Sequence, residues 1–280
     1  MQPTAASEEL RRKGEAFRAL HERPGAFVVP NPWDAGSARL LAARGFEALA
    51  TTSAGLAFAL GRPDGANRVS REESLANAAA IAAATALPVS ADLESGFGRS
   101  PADVAETFRL AGESGLVGGS IEDATGLPED PVLPIAEAAE RVAAAVEAAR
   151  ALPFPFTVTA RAENFLYGRP DLADTIARLR AYEDAGADVL YAPGLPSAEA
   201  VREVCSSVGR PVNVLAAGPL LALTVAELES CGARRVSLGS ALVRAAFAAL
   251  LEGAAEIAEK QGFTFAERAL PYAEANRLLS

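Results

Sequence analysis

Residues 89–99 read VSADLESGFGR, and this run decides how the chain is organised. Its lead-in, Val89-Ser90-Ala91 after Pro88, suits a short buried strand of small and β-branched residues. Side chains alternate faces along a strand, so Asp92 and Glu94 leave on the same side. Gly96 and Gly98 then let the backbone turn tightly and approach a ligand closely. Two carboxylates at the mouth of a buried strand are costly unless a cation meets them. The plain alternative is a solvated loop with an acidic helix cap. Against it, other strand ends in the chain carry matching polar groups.

The strand-then-helix unit repeats on both sides of this run. Short apolar strands are expected over 26–30, 48–53, 89–93, 119–122, 156–162, 189–192, 212–216 and 236–238. Helical patterns cover 7–20, 37–44, 70–85, 135–150, 172–185, 198–206, 225–231, 242–260 and 267–279. Ser100-Pro101 opens one more helix, with proline at the favoured first position, and Ser70 with Glu73 forms a capping box. The Gly-, Pro- and Asp-rich stretch up to Val69 reads as loop. Eight short strands, each followed by a helix, are the pattern of a (β/α)8 TIM-type barrel. A doubly wound open sheet is the rival, but neither GxGxxG nor GxxxxGK[ST] occurs, so nucleotide binding has no support. With no linker or low-complexity tract, one domain over 1–280 is expected, its C-terminal helices filling about 242–280.

The chain carries 26 basic and 36 acidic residues, a formal charge of −10, which disfavours nucleic acid and anionic membrane surfaces as partners. No apolar run has the length of a membrane-spanning helix, and MQPTAASEELRRKGEAF lacks a signal-peptide core. Cys205 and Cys231 make no disulfide framework, so a reducing cytoplasm is expected. His21 is the sole histidine, which argues against a Ser-His-Asp triad, a Cys-His pair or a multi-histidine zinc site. It reads as a surface residue near a helix C-terminus. Oxygen ligands should therefore hold any metal, which favours Mg2+ or Mn2+.

In such barrels the active site lies at the C-terminal ends of the strands. Those positions hold Asn31, Asp34, Thr52, Ser53, Asp92, Glu94, Glu122, Asp123, Arg161, Glu163, Tyr191, Asn213, Ser237 and Ser240. Acids gathered around one arginine suit a hydrated divalent cation and a carboxylate substrate. Each position also has a plainer reading. Asp34 caps the following helix, Trp33 and Phe97 pack, and Asp123, adjoining Glu122, faces the other way and braces the loop. Glu163 either pairs with a neighbouring base or acts in catalysis. Asn213 either binds substrate or ties loops together.

The stretches NPWDAGSARLL, TTSAGLAFALGRPD, VSADLESGFG, SIEDATG and TARAENF follow one another over nearly the whole chain. In these the sequence resembles the isocitrate lyase/phosphoenolpyruvate mutase superfamily, which includes 2-methylisocitrate lyases and carboxyphosphonoenolpyruvate phosphonomutases. The resemblance implies an α/β barrel with a terminal helix exchanged between subunits, a magnesium site, and substrates that are 2-oxo acids or yield them. It implies Asp92 as the direct metal ligand, with Glu94, standing where the family has aspartate, reaching a metal-bound water. Glu122 and Asp64 would be further outer-shell ligands. Arg161 would pair with the substrate carboxylate or its developing enolate, and Ser53 with the Ala54 and Gly55 amides would hold that carboxylate.

One departure bears on the chemistry. The superfamily's carbon–carbon lyases carry a mobile loop after SIED whose cysteine protonates the departing carbanion, and its mutases and phosphonopyruvate hydrolases carry lysine and asparagine there. Here residues 124–133 read ATGLPEDPVL, with no Cys, Lys, His or Asn. The expected activity is thus a Mg-dependent lyase or decarboxylase of a small 2-oxo dicarboxylate such as oxaloacetate, acting through an enolate. The alternatives are an isocitrate- or 2-methylisocitrate-type lyase with Glu94, Glu163 or Tyr191 as acid, phosphonopyruvate or other phosphonate chemistry, and a catalytically weak 2-oxo-acid-binding barrel. A homodimer or homotetramer is expected, its interface drawing on the apolar segment 241–251.

Overall fold

The computed structural model describes residues 5–65 and 68–280. Its first half runs α1 (Ala5–Glu22), β1 (Phe27–Val29), α2 (Ala35–Ala42), β2 (Leu49–Ala50), α3 (Ser53–Ala59), α4 (Arg71–Ala83), β3 (Val89–Asp92), α5 (Pro101–Glu113) and β4 (Gly118–Glu122). The second half runs α6 (Ile135–Arg150), β5 (Thr157–Arg161), α7 (Leu172–Asp184), β6 (Val189–Tyr191), α8 (Ala198–Ser207), β7 (Val212–Leu215), α9 (Val225–Ser230), β8 (Arg235–Ser237), α10 (Ala241–Ala255) and α11 (Tyr272–Leu279). Among the described residues the eight strands form one parallel sheet in the order β1-β8-β7-β6-β5-β4-β3-β2.

The two ends of that order meet. The Ala50 N–H donates to the Pro30 carbonyl at 3.2 Å. Asn31 Nδ2 donates to the carbonyls of Ala50 and Thr51 at 3.0 and 3.1 Å. Its Oδ1 accepts from the amides of Leu238 and Gly239 at 2.8 and 2.9 Å. Asn31 thereby stitches β1 to β2 and to the chain leaving β8, and the sheet closes into the expected (β/α)8 barrel.

Helix starts follow the sequence closely because local side chains satisfy the first amides. Capping boxes form at Asp34/Ser37, Ser70/Glu73 and Ser100/Asp103, the last with Pro101 in the first turn. The loop expected before Val69 begins differently. Thr52 caps α3, its Oγ1 accepting from the Gly55 amide at 3.2 Å, so β2 shortens to two residues and SAGLAFA is helical. The Gly- and Pro-rich composition further on had masked this short apolar turn. The helix expected over 242–260 leaves the α geometry at Ala255 and widens into a π turn, Glu256–Lys260. Only Val243 and Gly253 of α10 are buried, whereas Leu250 and Leu251 are 68% and 69% exposed.

α1 crosses the N-terminal end of the barrel. Phe17 is fully buried, edge-on to Phe27 of β1 and close to Gly118 of β4. His21, expected at the surface, is instead 6% exposed, with its ring 4.8 Å from that of Phe17 and 4.9 Å from that of Phe27. It lies one helical turn beyond Phe17, on the face that plugs the barrel. Its Nδ1 is 2.8 Å from the Phe17 carbonyl, which can only accept, so the proton sits on Nδ1 and Nε2 is left as an acceptor. Burial, reinforced by the Arg235 charge, pushes the His21 pKa down to about 3, so the ring is neutral.

Gly14 sets how closely α1 seats: a Cβ there would lie 2.2 Å from the Pro155 carbonyl oxygen. Glycine to alanine in a helix gains about 1 kcal/mol of propensity. Overpacking against a rigid backbone atom costs roughly 1–3 kcal/mol. Gly14→Ala should therefore lower the urea midpoint; a raised midpoint would show that α1 is not pressed against this end of the barrel.

Candidate active site

Arg161 ends β5 and stands at the centre of the mouth, its side chain only 13% exposed. Parallel register places Glu122 of β4 on one side of it and Tyr191 of β6 on the other. Its Nη1 donates to Asp92 Oδ1 at 2.8 Å, Nη2 lies 3.1 Å from Glu122 Oε2, and Nε donates to Glu163 Oε1 at 2.9 Å. The guanidinium carbon also sits 5.1 Å from the centre of the Tyr191 ring.

Asp92 is held from several directions. Its Oδ2 accepts from the Ser53 amide at 3.1 Å and the Ser53 hydroxyl at 2.7 Å, and its own amide donates to Thr51 Oγ1 at 2.9 Å. Just beyond, Glu94 and Phe97 take left-handed backbone angles, φ 48° and 55°, which is strained for residues with a side chain. Gly96 has φ 84° and no room for a Cβ, which would meet Val104 at 2.8 Å. Arg141 of α6 clamps this bend by donating to the carbonyls of Ser95, Gly98 and Arg99. Sequence reading missed Arg141, whose role depends on the α5–α6 packing.

The charges do not balance. Burial alone would raise the Asp92 pKa, but the Arg161 charge and the Ser53 and Glu94 hydrogen bonds hold it below the ordinary value. Glu94 is pushed up to about 7 by burial and then by the charges of Asp92 and Asp64. Asp64 is largely open to solvent, yet desolvation at the mouth and the Asp92 charge raise it too. Glu122 and Glu163 are both raised by burial, Arg161 only partly offsetting it, and each also feels neighbouring carboxylates. Among the described residues no three acidic, histidine or cysteine side chains converge into a ready-made metal cage. The donor set fits a hydrated divalent ion held by one or two carboxylates, the usual arrangement for magnesium.

Beneath the mouth a cavity of about 210 Å³ is lined by Ser53, Ala54, Asp64, Asp92, Arg161 and Tyr191, and deeper by Asn213, Arg235 and Ser237. This is smaller than the roughly 300–1,000 Å³ of drug-sized sites and suits a small acid. Asn213 donates to Ser237 Oγ and accepts from Arg235 Nε, both at 2.9 Å, so it ties β7 to β8 while facing the cavity. Arg235 was not anticipated. The clue lay in RRVSL, where period two puts Arg235 and Ser237 on one face.

Several other positions resolve to support. Gly55 does not line this cavity: its amide is committed to Thr52, and a Cβ would meet Thr52 and Trp33 at 2.5 and 3.0 Å, so it is a packing position rather than a donor to a ligand. Asp34 caps α2. Asp123 faces away from the mouth, accepting from Arg178 at 2.9 Å, Tyr182 at 2.5 Å and the Glu163 amide at 2.8 Å. Residues 124–133 fold back on themselves through an Ala124–Val132 bridge and the Thr125 amide to the Pro131 carbonyl at 2.9 Å. Cys205 in the last turn of α8 and Cys231 capping α9 lie at helix C-termini, the barrel end opposite the mouth. Burial pushes the Cys205 thiol up to about 12.

Glu94 gives a pH signature. A carboxyl raised from 4.5 to about 7 in the folded protein contributes stability below pH 4.5, and that contribution is lost as pH rises to about 7. In thermal melts without divalent cation, wild type should therefore lose melting temperature relative to Glu94→Gln between pH 5 and roughly 7. Parallel pH profiles for the two proteins would refute this account of the mouth.

Comparison with known proteins adds to this geometry. The family described as phosphoenolpyruvate phosphomutase matches residues 17–258. A Mycobacterium tuberculosis H37Rv protein, Rv1998c, is 34% identical over 260 residues, covering 92% of this chain and 94% of its own. A Burkholderia cenocepacia J2315 protein provisionally assigned as a lyase/mutase is 57% identical with a TM-score of 0.94, covering 98% of this chain and 97% of its own. Oxaloacetate acetylhydrolase in complex with the product oxalate is 27% identical (TM-score 0.85; 95% and 94% covered), and phosphonopyruvate hydrolase with oxalate and Mg++ is 26% identical (0.85; 95% and 94%). The chain belongs to the phosphoenolpyruvate phosphomutase family, within the superfamily of isocitrate lyases and phosphoenolpyruvate mutases.

Proposed function

We propose that this protein is a Mg-dependent lyase that breaks a carbon–carbon bond in a small 2-oxo dicarboxylate, with oxaloacetate decarboxylation as the leading reaction. The observation that carries the reading is the Arg161 mouth: one guanidinium among carboxylates, under a loop folded back on itself with no cysteine, lysine, histidine or asparagine to deliver. Asp92 is assigned as the direct metal ligand, with Asp64, Glu94 and Glu122 reaching the ion through water. When bound, the ion supplies positive charge against which electrons of the breaking bond can gather on the 2-oxo oxygen. A solved relative with oxalate and Mg++ supports the choice of magnesium.

The chain's own groups do the rest. Arg161 orients the 2-oxo acid by its oxygens, and the Ala54 amide receives the carboxylate, joined by Ser53 Oγ once its proton turns from Asp92 Oδ2. Both residues line the cavity. Carbon dioxide departs without a protein acid, and solvent protonates the enolate carbon. That suits the open mouth, since a closing lid would otherwise have to exclude water and deliver a proton together. Neither cysteine can serve as acid, for both lie at the opposite end of the barrel. A second reading, hydrolytic cleavage of the same substrate, is supported by the likeness to oxaloacetate acetylhydrolase and its oxalate product.

The test is to incubate the protein with Mg2+ and oxaloacetate and assay pyruvate and oxalate separately. Pyruvate above the metal-only background supports decarboxylation; oxalate supports hydrolysis. Asp92→Ala should weaken magnesium binding by calorimetry roughly 100-fold or more, since even outer-shell losses cost 10–100-fold. Replacing Cys205 and Cys231 together by alanine should leave turnover nearly unchanged. Vigorous cleavage of 2-methylisocitrate that disappears in the double variant would overturn the reading.

A homo-oligomer completes the proposal. Leu250 and Leu251 of α10, with Phe263 and Tyr272 beyond it, leave a broad apolar surface open. Exchange of this helix between subunits would cover it. Light scattering at micromolar concentration should give a dimer or tetramer, and Leu250→Glu with Leu251→Glu should shift it toward monomer; a wild-type monomer refutes the assembly.

A further inference from the structure

Arg235 lies in the floor of the cavity and is 5% exposed. Its three nitrogens meet neutral groups: Nε donates to Asn213 Oδ1 at 2.9 Å, Nη2 to Thr159 Oγ1 at 3.0 Å, and Nη1 faces His21 Nε2 at 3.4 Å. Among the described residues no carboxylate forms an ion pair with it, whereas Arg161 above it has three. A guanidinium has five N–H donors, so two remain uncommitted after these contacts. Interior layers of such barrels are ordinarily filled by branched apolar side chains, so a lone buried cation here is not the cheapest filler.

The placement gives the charge a direction. Thr159, which Arg235 contacts, is two residues before Arg161 on β5, roughly 6.6 Å deeper along the strand. Both arginines line one small cavity. His21 cannot neutralise Arg235 and does not repel it either, because the imidazole stays uncharged.

We propose that Arg235 is a specificity-determining residue that receives the second carboxylate of a 2-oxo dicarboxylate, so that the site prefers 2-oxo dicarboxylates to 2-oxo monocarboxylates. This rests on the reading above, with the 2-oxo acid end at Asp92 and Arg161 and the distal carboxylate reaching down to the floor. Burial lowers the Arg235 pKa to about 10, which still leaves it cationic at neutral pH.

Titration calorimetry with excess Mg2+ tests it, using two stable probes. Oxalate can engage only the mouth, whereas 3,3-difluorooxaloacetate adds the distal carboxylate. Arg235→Gln should weaken the difluoro acid roughly 10- to 100-fold, the loss of charge-assisted hydrogen bonds, with a much smaller effect on oxalate. Arg235→Lys should recover part of that loss. Equal weakening of both probes, or of neither, would mean a purely structural arginine and overturn the proposal. Should the glutamine variant fail to fold, the lysine variant decides by the same comparison: a larger loss for the difluoro acid supports the proposal, and an equal loss overturns it. Failure of wild type to bind either probe would overturn the underlying reading, and this inference with it. Oxalate binding without discrimination by Arg235 would overturn this inference alone.

Discussion

The ion pairs of Arg161 at the barrel mouth constrain everything around them. Unit charges 4 Å apart interact by about 4 kcal/mol at an effective dielectric of 20. Three carboxylates drawn to one guanidinium therefore gain three such attractions and suffer mutual repulsions of similar order. The cluster relieves itself in the only ways open to it. Asp92, nearest the Ser53 donors, keeps its charge, while Glu94, Glu122 and Glu163 are pushed toward holding protons. A divalent cation would relieve the same imbalance without protons. That is the physical basis for proposing a metal-and-anion site here rather than a structural salt-bridge network.

Such a cluster needs a rigid frame, and the frame is mostly outside the cluster. Asp123 points away from the mouth and is locked by Arg178 and Tyr182, and through the Glu163 amide it fixes the chain that carries Glu163. Arg141 holds the strained bend after Glu94 by three backbone carbonyls. Asn31 closes the barrel seam next to Ser53.

Much of this was legible in the sequence, for reasons that differ by residue. Period-two alternation separated Glu122 from Asp123, and parallel register then brought Glu122 beside Arg161, whereas Glu94 reaches the mouth through the left-handed bend after β3 rather than by alternation. Helix starts were readable because their caps are local: Ser70/Glu73 and Ser100/Asp103 need no tertiary information. Contacts set by closure were not readable. Arg141, Arg235 and the buried state of His21 depend on contacts between elements more than 40 residues apart in the chain. Gly55 shows the converse. A glycine beside Ser53 and Ala54 invites a functional reading from sequence, yet its missing Cβ makes room for Thr52 and Trp33.

The least repetitive part of the chain is coupled to the site more closely than its position implies. α1 precedes the first strand and belongs to no βα unit, yet Phe17 and His21 close the end of the barrel beneath the cavity. His21 is held neutral by that same burial, and a neutral imidazole is the only form that can accept from Arg235. A charged ring would repel the guanidinium and loosen both the plug and the floor. The packing of an N-terminal helix against β1, β4 and β5 thus determines whether a buried cation can persist beneath Arg161 and Asp92. Changes to α1 should accordingly be felt at Arg235 before they are felt at Asp92 and Arg161 above.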